Sequence, residues 1–318
     1  MKRIPDRAVQ PAQPSDGQAL RGTRKRIELK ALAKINLGLD VLGRRENGYH
    51  DVRMVMQSIY LYDDVKIERT KNPGVEVSTN LYFLPTDENN IAYKAAKMLI
   101  EEFQIKEGVV ITLDKHIPVA AGMAGGSSNA AAVLFGMNKM FGLGLSQKEL
   151  MERGVKLGAD VPYCIMRGTV LAEGIGEELT VLPAMPKCTV LVAKPAISVS
   201  TKVVYEALDS KEIVEHPDID ALISGLEKGS LHEVAAAMGN VLEDVTIPMY
   251  PVIEEIKNEM KAQGALNAMM SGSGPTVFGL FENKAQARKA QDKIREKALA
   301  KQVYVTNIHG ARRNEYGA

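Results

Sequence analysis

The sequence predicts an α+β protein of two domains, and three observations predict it. The chain has 318 residues, against roughly 150 for one typical domain. Hydrophobic residues make up 45% and charged residues 25%, the balance of a globular chain with enough apolar side chains for a core in each half. The last third orders its periodic segments as β-α-β-β-α-β, a ferredoxin-like motif. The pattern changes after Pro183 and Pro186, so domains over 27–182 and 183–318 are expected behind a tail over 1–26.

Composition excludes several classes. Lys and Arg total 40 against 39 Asp and Glu, so no global basic field points to nucleic acid and no acidic excess to a solvating tail. Cys164 and Cys188 form no disulfide framework and no metal-type spacing. They are expected as reduced thiols in a cytoplasmic protein. No run approaches the roughly 18–20 apolar residues of a membrane span, so no membrane partner is expected. The first 26 residues are basic, lack an apolar stretch and are broken by Pro5, Pro11, Pro14, Gly17 and Gly22. A disordered tail is expected there, with an electrostatic arm or targeting peptide as the alternative that Asp6 and Asp16 count against.

The elements follow in order. From Ala31 to Leu39 the odd positions are apolar and the even ones include Lys34 and Asn36, a half-buried strand. Those two side chains share a face, about 7 Å apart. Residues 43–48 read as a turn, 52–59 and 64–69 as strands. Thr86 or Asp87 is placed to cap a helix ending near Phe103. A strand over 109–113 precedes a glycine-rich loop that opens an alanine-rich helix. Ser146 and Glu149 form a capping box for a helix stopping at Gly158. A strand over 168–172 completes the first half. The second half reads as strand 188–194, helical stretches including 248–263, strands 266–270 and 276–281, helix 284–300 and strand 302–308.

Five stretches carry candidate chemistry. The loop Pro118, Val119, Ala120, Ala121, Gly122, Met123, Ala124, Gly125, Gly126, Ser127, Ser128 would bring peptide N–H groups and a helix dipole to an anion. It is neither a Walker A loop nor a dinucleotide fingerprint, and close helix packing is the alternative. Lys34 with Asn36 is either a solvated pair or a polar site. Asp160, in Leu-Gly-Ala-Asp-Val-Pro, is a turn residue or an acid–base group. Arg44 to His50 holds an Asn-Gly hairpin signal, with Tyr49 and His50 as packed strand residues or as a ring pair. Residues 271–279 read as a turn or as a loop closing a site.

Together these stretches resemble the GHMP kinase superfamily over nearly all of the chain beyond the tail. Within it, Gly-Tyr-His at 48–50 and Gly-Ala-Asp-Val-Pro at 158–162 resemble the branch whose acceptor carries a cytidine diphosphate. The resemblance implies a ribosomal-S5-domain-2-like first domain, a ferredoxin-like second domain and an active site in the cleft between them. It implies ATP-dependent phosphorylation of the 2-hydroxyl of a cytidine-diphosphate-linked methylerythritol, with ATP and Mg²⁺ and no assigned metal ligands. The proton-handling pair falls on Lys34 and Asp160, the nucleotide-phosphate loop on 118–128, and the cytidine pocket on Tyr49 and His50 with Asn36 nearby. A second wall falls on Thr201 and Tyr205. The family's loop is commonly richer in glycine than Ala120, Ala121 and Ala124 allow, and the same phosphate role requires these alanines to avoid positive φ. Met56 stands where an aromatic pocket residue is frequent. A different small-alcohol kinase, such as one for homoserine, and a non-catalytic RNA-binding module are the competing readings. A monomer or weak homodimer is expected.

Overall fold

The computed structural model describes residues 24–211, 213 and 215–310. The expected tail over 1–26 lies, up to residue 23, outside the described residues.

Two long antiparallel strands organise the first half, β1 (Arg26–Arg44) and β2 (His50–Thr70). The two strands expected over 52–59 and 64–69 are one. No Gly or Pro interrupts residues 60–63, and β1 continues the ladder beside them. A short strand absent from the sequence reading, β3 (Val75–Thr79), follows. Helix α1 (Ile91–Glu102) is capped by Asn90, whose side chain accepts from the Ala92 N–H at 2.9 Å, not by Thr86 or Asp87. Asp87 instead accepts from the Asn89 N–H in the preceding turn. Strand β4 (Gly108–Asp114) leads through the glycine-rich loop to α2 (Gly125–Phe141). The capping box of Ser146 and Glu149 opens α3 (Gln147–Val155) as expected, but that helix ends before Gly158 in a turn from Gly154. Next come α4 (Val161–Met166), β5 (Thr169–Glu173) and β6 (Glu178–Val181). The sheet runs β3-β4-β2-β1, with β5 on the other half of β2 and β6 beside β5.

The second half begins with β7 (Thr189–Lys194), α5 (Thr201–Asp209), α6 (Ile219–Glu227) and α7 (Leu231–Ala237). Strand β8 (Gly239–Asn240), though beyond residue 183, pairs in parallel with β1 of the first sheet. The helix expected over 248–263 is two, α8 (Glu243–Met249) and α9 (Val252–Ala262), broken at Tyr250–Pro251. Strands β9 (Asn267–Met270) and β10 (Val277–Phe281), helix α10 (Lys284–Glu296) and strand β11 (Gln302–Asn307) complete it. Helix α10 stops short of 300, where Ala298 turns left-handed. The antiparallel order β11-β7-β10-β9 is that of a ferredoxin-like βαββαβ unit.

Three apolar layers hold these parts together. Helices α1–α4 cover one face of the first sheet, the second sheet with α6 and α7 covers the other, and α8–α10 cover the far side of the second sheet. β1 is therefore buried on both faces from Ala31 to Val41, not half-buried as its alternation suggests. A register shift between Leu32 and Ala33 sends Ala31 to the helix side and Ala33, Ile35 and Leu37 to the opposite side. Lys34 and Asn36 are thereby left on the helix side, deep in the molecule.

Candidate active site

Lys34 is 5% exposed and Asn36 is fully buried, which removes the reading of a solvated outward pair. Lys34 Nζ donates to Asn36 Oδ1 at 2.7 Å, and Asn36 Nδ2 donates to Met54 Sδ at 3.3 Å. No carboxylate lies within 4 Å of Lys34 Nζ among the described residues. Burying an ammonium with only an amide partner is costly, so this charge is held for something other than stability. Met56 is fully buried in the helix-side core, opposite Asn36 in the β1–β2 ladder, and Met54 accepts from the Asn36 amide.

The glycine-rich loop reaches the same place. The Lys34 N–H donates to the Met123 carbonyl at 3.2 Å, while Ala121 and Met123 anchor the loop in the layer between the sheets. Ala124, at the N-cap of α2, has φ 56° and offers no side-chain cap. The first helical bond runs from the Ser128 N–H to the Ala124 carbonyl at 2.8 Å. The N–H groups of Gly125, Gly126 and Ser127 therefore lie before the helical ladder, with the positive end of a 17-residue helix behind them. The requirement that the alanines avoid positive φ is not met, since Ala120 has φ 50° as well. The backbone takes the left-handed conformation despite each Cβ, at about 1 kcal/mol per residue, and the N–H array survives. Ser128 is committed elsewhere: its hydroxyl donates to the Leu32 carbonyl at 2.7 Å and is buried. Ser127 has no such bond, and its Oγ lies 4.0 Å from where a Cβ on Gly158 would sit.

Gly122 joins the loop to the second half. Its φ is +69°, its carbonyl accepts from Ser271 Oγ at 3.0 Å, and a Cβ there would lie 2.1 Å from the Ser271 carbonyl oxygen. Gly122→Ala is expected to lose about 1–2 kcal/mol from the backbone conformation alone, with the clash in addition. Urea denaturation and ATP titration calorimetry measure it; wild-type stability with wild-type ATP affinity would remove Gly122 as the contact point. The 271–276 loop also covers Asn36, because a Cβ on Gly272 would lie 3.6 Å from Asn36 Oδ1.

Asp160 stands at the start of α4, yet its side chain makes no capping bond. Val161 and Pro162 begin the helix behind it. Lys34 and Asp160, the expected proton-handling pair, form no ion pair with each other among the described residues; Lys34 turns to Asn36. Both charges nevertheless act on one buried group. Burial pushes the Cys164 thiol well above its ordinary pKa, the Asp160 carboxylate raises it further, and Lys34 pulls the other way. Burial alone pushes Cys188 up to about 12. Neither thiol should react with a water-soluble disulfide reagent at neutral pH until the protein is unfolded; rapid colour release from the native enzyme would contradict this.

The expected acceptor residues divide. His50 is pressed against Tyr205, with ring centroids 4.8 Å apart and planes tilted by 42°. Burial first, then the Asp160 carboxylate, pushes the Tyr205 hydroxyl up to about 12, which ties this ring electrostatically to the Lys34–Asp160 end. Thr201 Oγ1 lies 2.7 Å from Ser273 Oγ, fastening α5 to the 271–276 loop. Tyr49 is 60% exposed and makes no ring contact with His50. Sequence reasoning missed Asp209, whose carboxylate meets His50 Nε2 at 2.6 Å and Arg44 at 3.3 Å. The signal was present: 201, 205 and 209 recur every four residues along one face of α5.

Comparison with known proteins gives the family. Residues 90–168 match the profile described as the GHMP kinases N terminal domain, and residues 222–300 that described as GHMP kinases C terminal. A 4-diphosphocytidyl-2-C-methyl-D-erythritol kinase of Lachnospira eligens is 57% identical over 280 residues, 88% of this chain and 97% of that one. One from Lachnoclostridium phytofermentans is 56% identical over 282 residues, 89% of this chain and 97% of its own length. The crystal structure of a 4-(cytidine 5'-diphospho)-2C-methyl-D-erythritol kinase superposes with a TM-score of 0.78 at 32% identity, covering 90% of this chain and all of that one. A homoserine kinase from Cytophaga hutchinsonii, 20% identical with a TM-score of 0.73 over 92% of this chain and 98% of its own, shares the fold. The chain belongs to the GHMP kinase superfamily and, within it, to the family of the 4-diphosphocytidyl-2-C-methyl-D-erythritol kinases.

Proposed function

We propose that the protein transfers the γ-phosphoryl group of ATP to the 2-hydroxyl of 4-diphosphocytidyl-2-C-methyl-D-erythritol, giving the 2-phosphate and ADP in the cytoplasm. The observation that supports this reading is a chain of contacts: Lys34 holds Asn36, the 271–276 loop lies over Asn36, Ser273 of that loop meets Thr201 of α5, and Tyr205 of the same helix is pressed against His50.

Phosphoryl transfer asks a protein mainly for alignment and charge neutralisation. The N–H groups of Gly125, Gly126 and Ser127 hold the triphosphate at the helix start, within the loop 118–127. Asp160, free of any capping bond, takes the proton of the acceptor hydroxyl. Lys34 releases Asn36 to reach that hydroxyl and the transferring group. The acceptor carbon is tertiary and crowded, so alignment dominates the barrier. Mg²⁺ fits this site through oxygen donors: the Ser127 hydroxyl, which has no partner among the described residues, would hold it with the nucleotide phosphates. When bound it supplies positive charge to the phosphate oxygens. At the far end His50, Tyr205 and the exposed Tyr49 take the cytosine, while Thr201 and Asn36 border the chain between base and hydroxyl.

The homoserine alternative has no use for a ring pair at the far end of the cleft, and the near-neutral charge offers nothing to RNA. ADP release is to be measured over a panel of alcohols with and without a cytidine diphosphate handle. Turnover confined to the cytidine-bearing acceptor is expected; equal turnover of homoserine overturns the reading.

A further inference from the structure

We propose that Asp209 is a positioning residue that sets the tautomer of His50, so that the pocket selects a pyrimidine with an amine at its 4-position over one with a carbonyl there. The proposal rests on the acceptor reading above. It deepens that reading by assigning base selectivity to a residue that touches no substrate.

Asp209 is the last residue of α5, where a carboxylate faces the negative end of the helix dipole. That location gains the helix nothing and opposes it slightly. The carboxylate is used across the cleft wall instead. One oxygen lies 2.6 Å from His50 Nε2 and the other 3.3 Å from an Arg44 guanidinium nitrogen. Arg44 and His50 flank the turn between β1 and β2, so a single side chain clamps both sides of that turn to α5. The Tyr205 ring, one helical turn earlier, fixes the plane of the imidazole.

A carboxylate only accepts hydrogen bonds. At 2.6 Å from Nε2 it requires the proton to reside on Nε2, and a neutral imidazole then presents Nδ1 as a bare acceptor. The His50 side chain is 9% exposed, yet Nδ1 has no hydrogen-bond partner among the described residues and is not one of the sealed polar atoms. It is the ring atom left open to a ligand. A group meeting it has to donate. The 4-amino group of cytosine donates, whereas the 4-carbonyl of uracil only accepts and would set two lone pairs against each other. Without the carboxylate, the ring is free to place its proton on Nδ1 and lose that distinction.

The test uses the full-length enzyme, its Asp209→Asn and Asp209→Ala variants, and two acceptors, the cytidine-diphosphate-linked methylerythritol and its uridine counterpart. In the wild type, imidazole ¹⁵N NMR of His50 is expected to show the proton on Nε2. In both variants the acceptor KM for the cytidine compound should rise about tenfold, the worth of one hydrogen bond. The preference over the uridine compound should shrink by a similar factor, while ATP KM stays put. A purely structural role would shift stability and both acceptors alike. A wild type active on the cytidine acceptor, with unchanged base preference in both variants, overturns the assignment of Asp209 alone. So does an Nδ1-protonated His50 in the free wild-type enzyme. A wild type that turns over neither acceptor overturns the acceptor reading and, with it, the selectivity built on Asp209.

Discussion

Lys34→Ala and Asp160→Ala are each expected to lower kcat by about 10²–10⁴-fold, the usual contribution of a group positioned for proton transfer, while the fold persists. The reasons lie in what each side chain does not do. Lys34 is buried without a carboxylate partner, its ammonium held by one bond to Asn36, so truncation removes a costly buried charge along with its catalytic use. Asp160 caps nothing and forms no ion pair among the described residues, so the start of α4 survives its loss through Val161 and Pro162. The measurements are kcat with saturating substrates and the urea midpoint of each purified variant. Wild-type turnover in a folded variant would remove that residue from the reaction. A large loss of stability with a proportionate loss of activity would return it to a structural role.

The sequence was most legible where local chemistry decides. The capping box at Ser146 and Glu149, the helix opened by Gly125, and the β-α-β-β-α-β order of the last third all stand in the structure, because caps, glycines and period-2 apolar runs act over a few residues. Non-local partners were hidden. Alternation over 31–39 implied one wet face, but the second sheet and the helices cover both. The gap between 59 and 64 looked like a break until β1 supplied the missing ladder. Among the candidate site residues, family motifs point to Lys34, Asp160 and His50. Asp209 required the α5 face and the β1–β2 turn to be seen together, 159 residues apart in sequence. The bond of the Ser128 hydroxyl was hidden for the same reason, since its partner Leu32 lies 96 residues away.

A second buried lysine shows the opposite use of charge, and Asp63→Ala is expected to cost about 3–5 kcal/mol of stability, the range for breaking a buried ion pair. Lys115 donates to Asp63 and, at 2.7 Å, to Asn129 Oδ1; Asn129 Nδ2 in turn donates to Asp63 at 2.9 Å. The other oxygen of Asp63, itself fully buried, accepts the N–H groups of His116 and Ile117 at 2.7 and 2.8 Å. The cluster thus sits where β4 leaves its sheet and enters the glycine-rich loop, with Asn129 on the first turns of α2. Removing the carboxylate strands an ammonium and two peptide N–H groups away from water. The loss should appear as a lower urea midpoint with an unchanged slope, together with weaker ATP binding as the loop loses its anchor. The double variant Asp63→Ala/Lys115→Met removes both charges and should recover part of the stability, because the stranded ammonium is gone. The His116 and Ile117 N–H groups stay unpaired in it, so recovery is incomplete. A loss below about 1 kcal/mol in the single variant, the worth of an exposed pair, would show that water reaches Lys115. Lys34 and Lys115 would then no longer divide into one held for chemistry and one held for the loop.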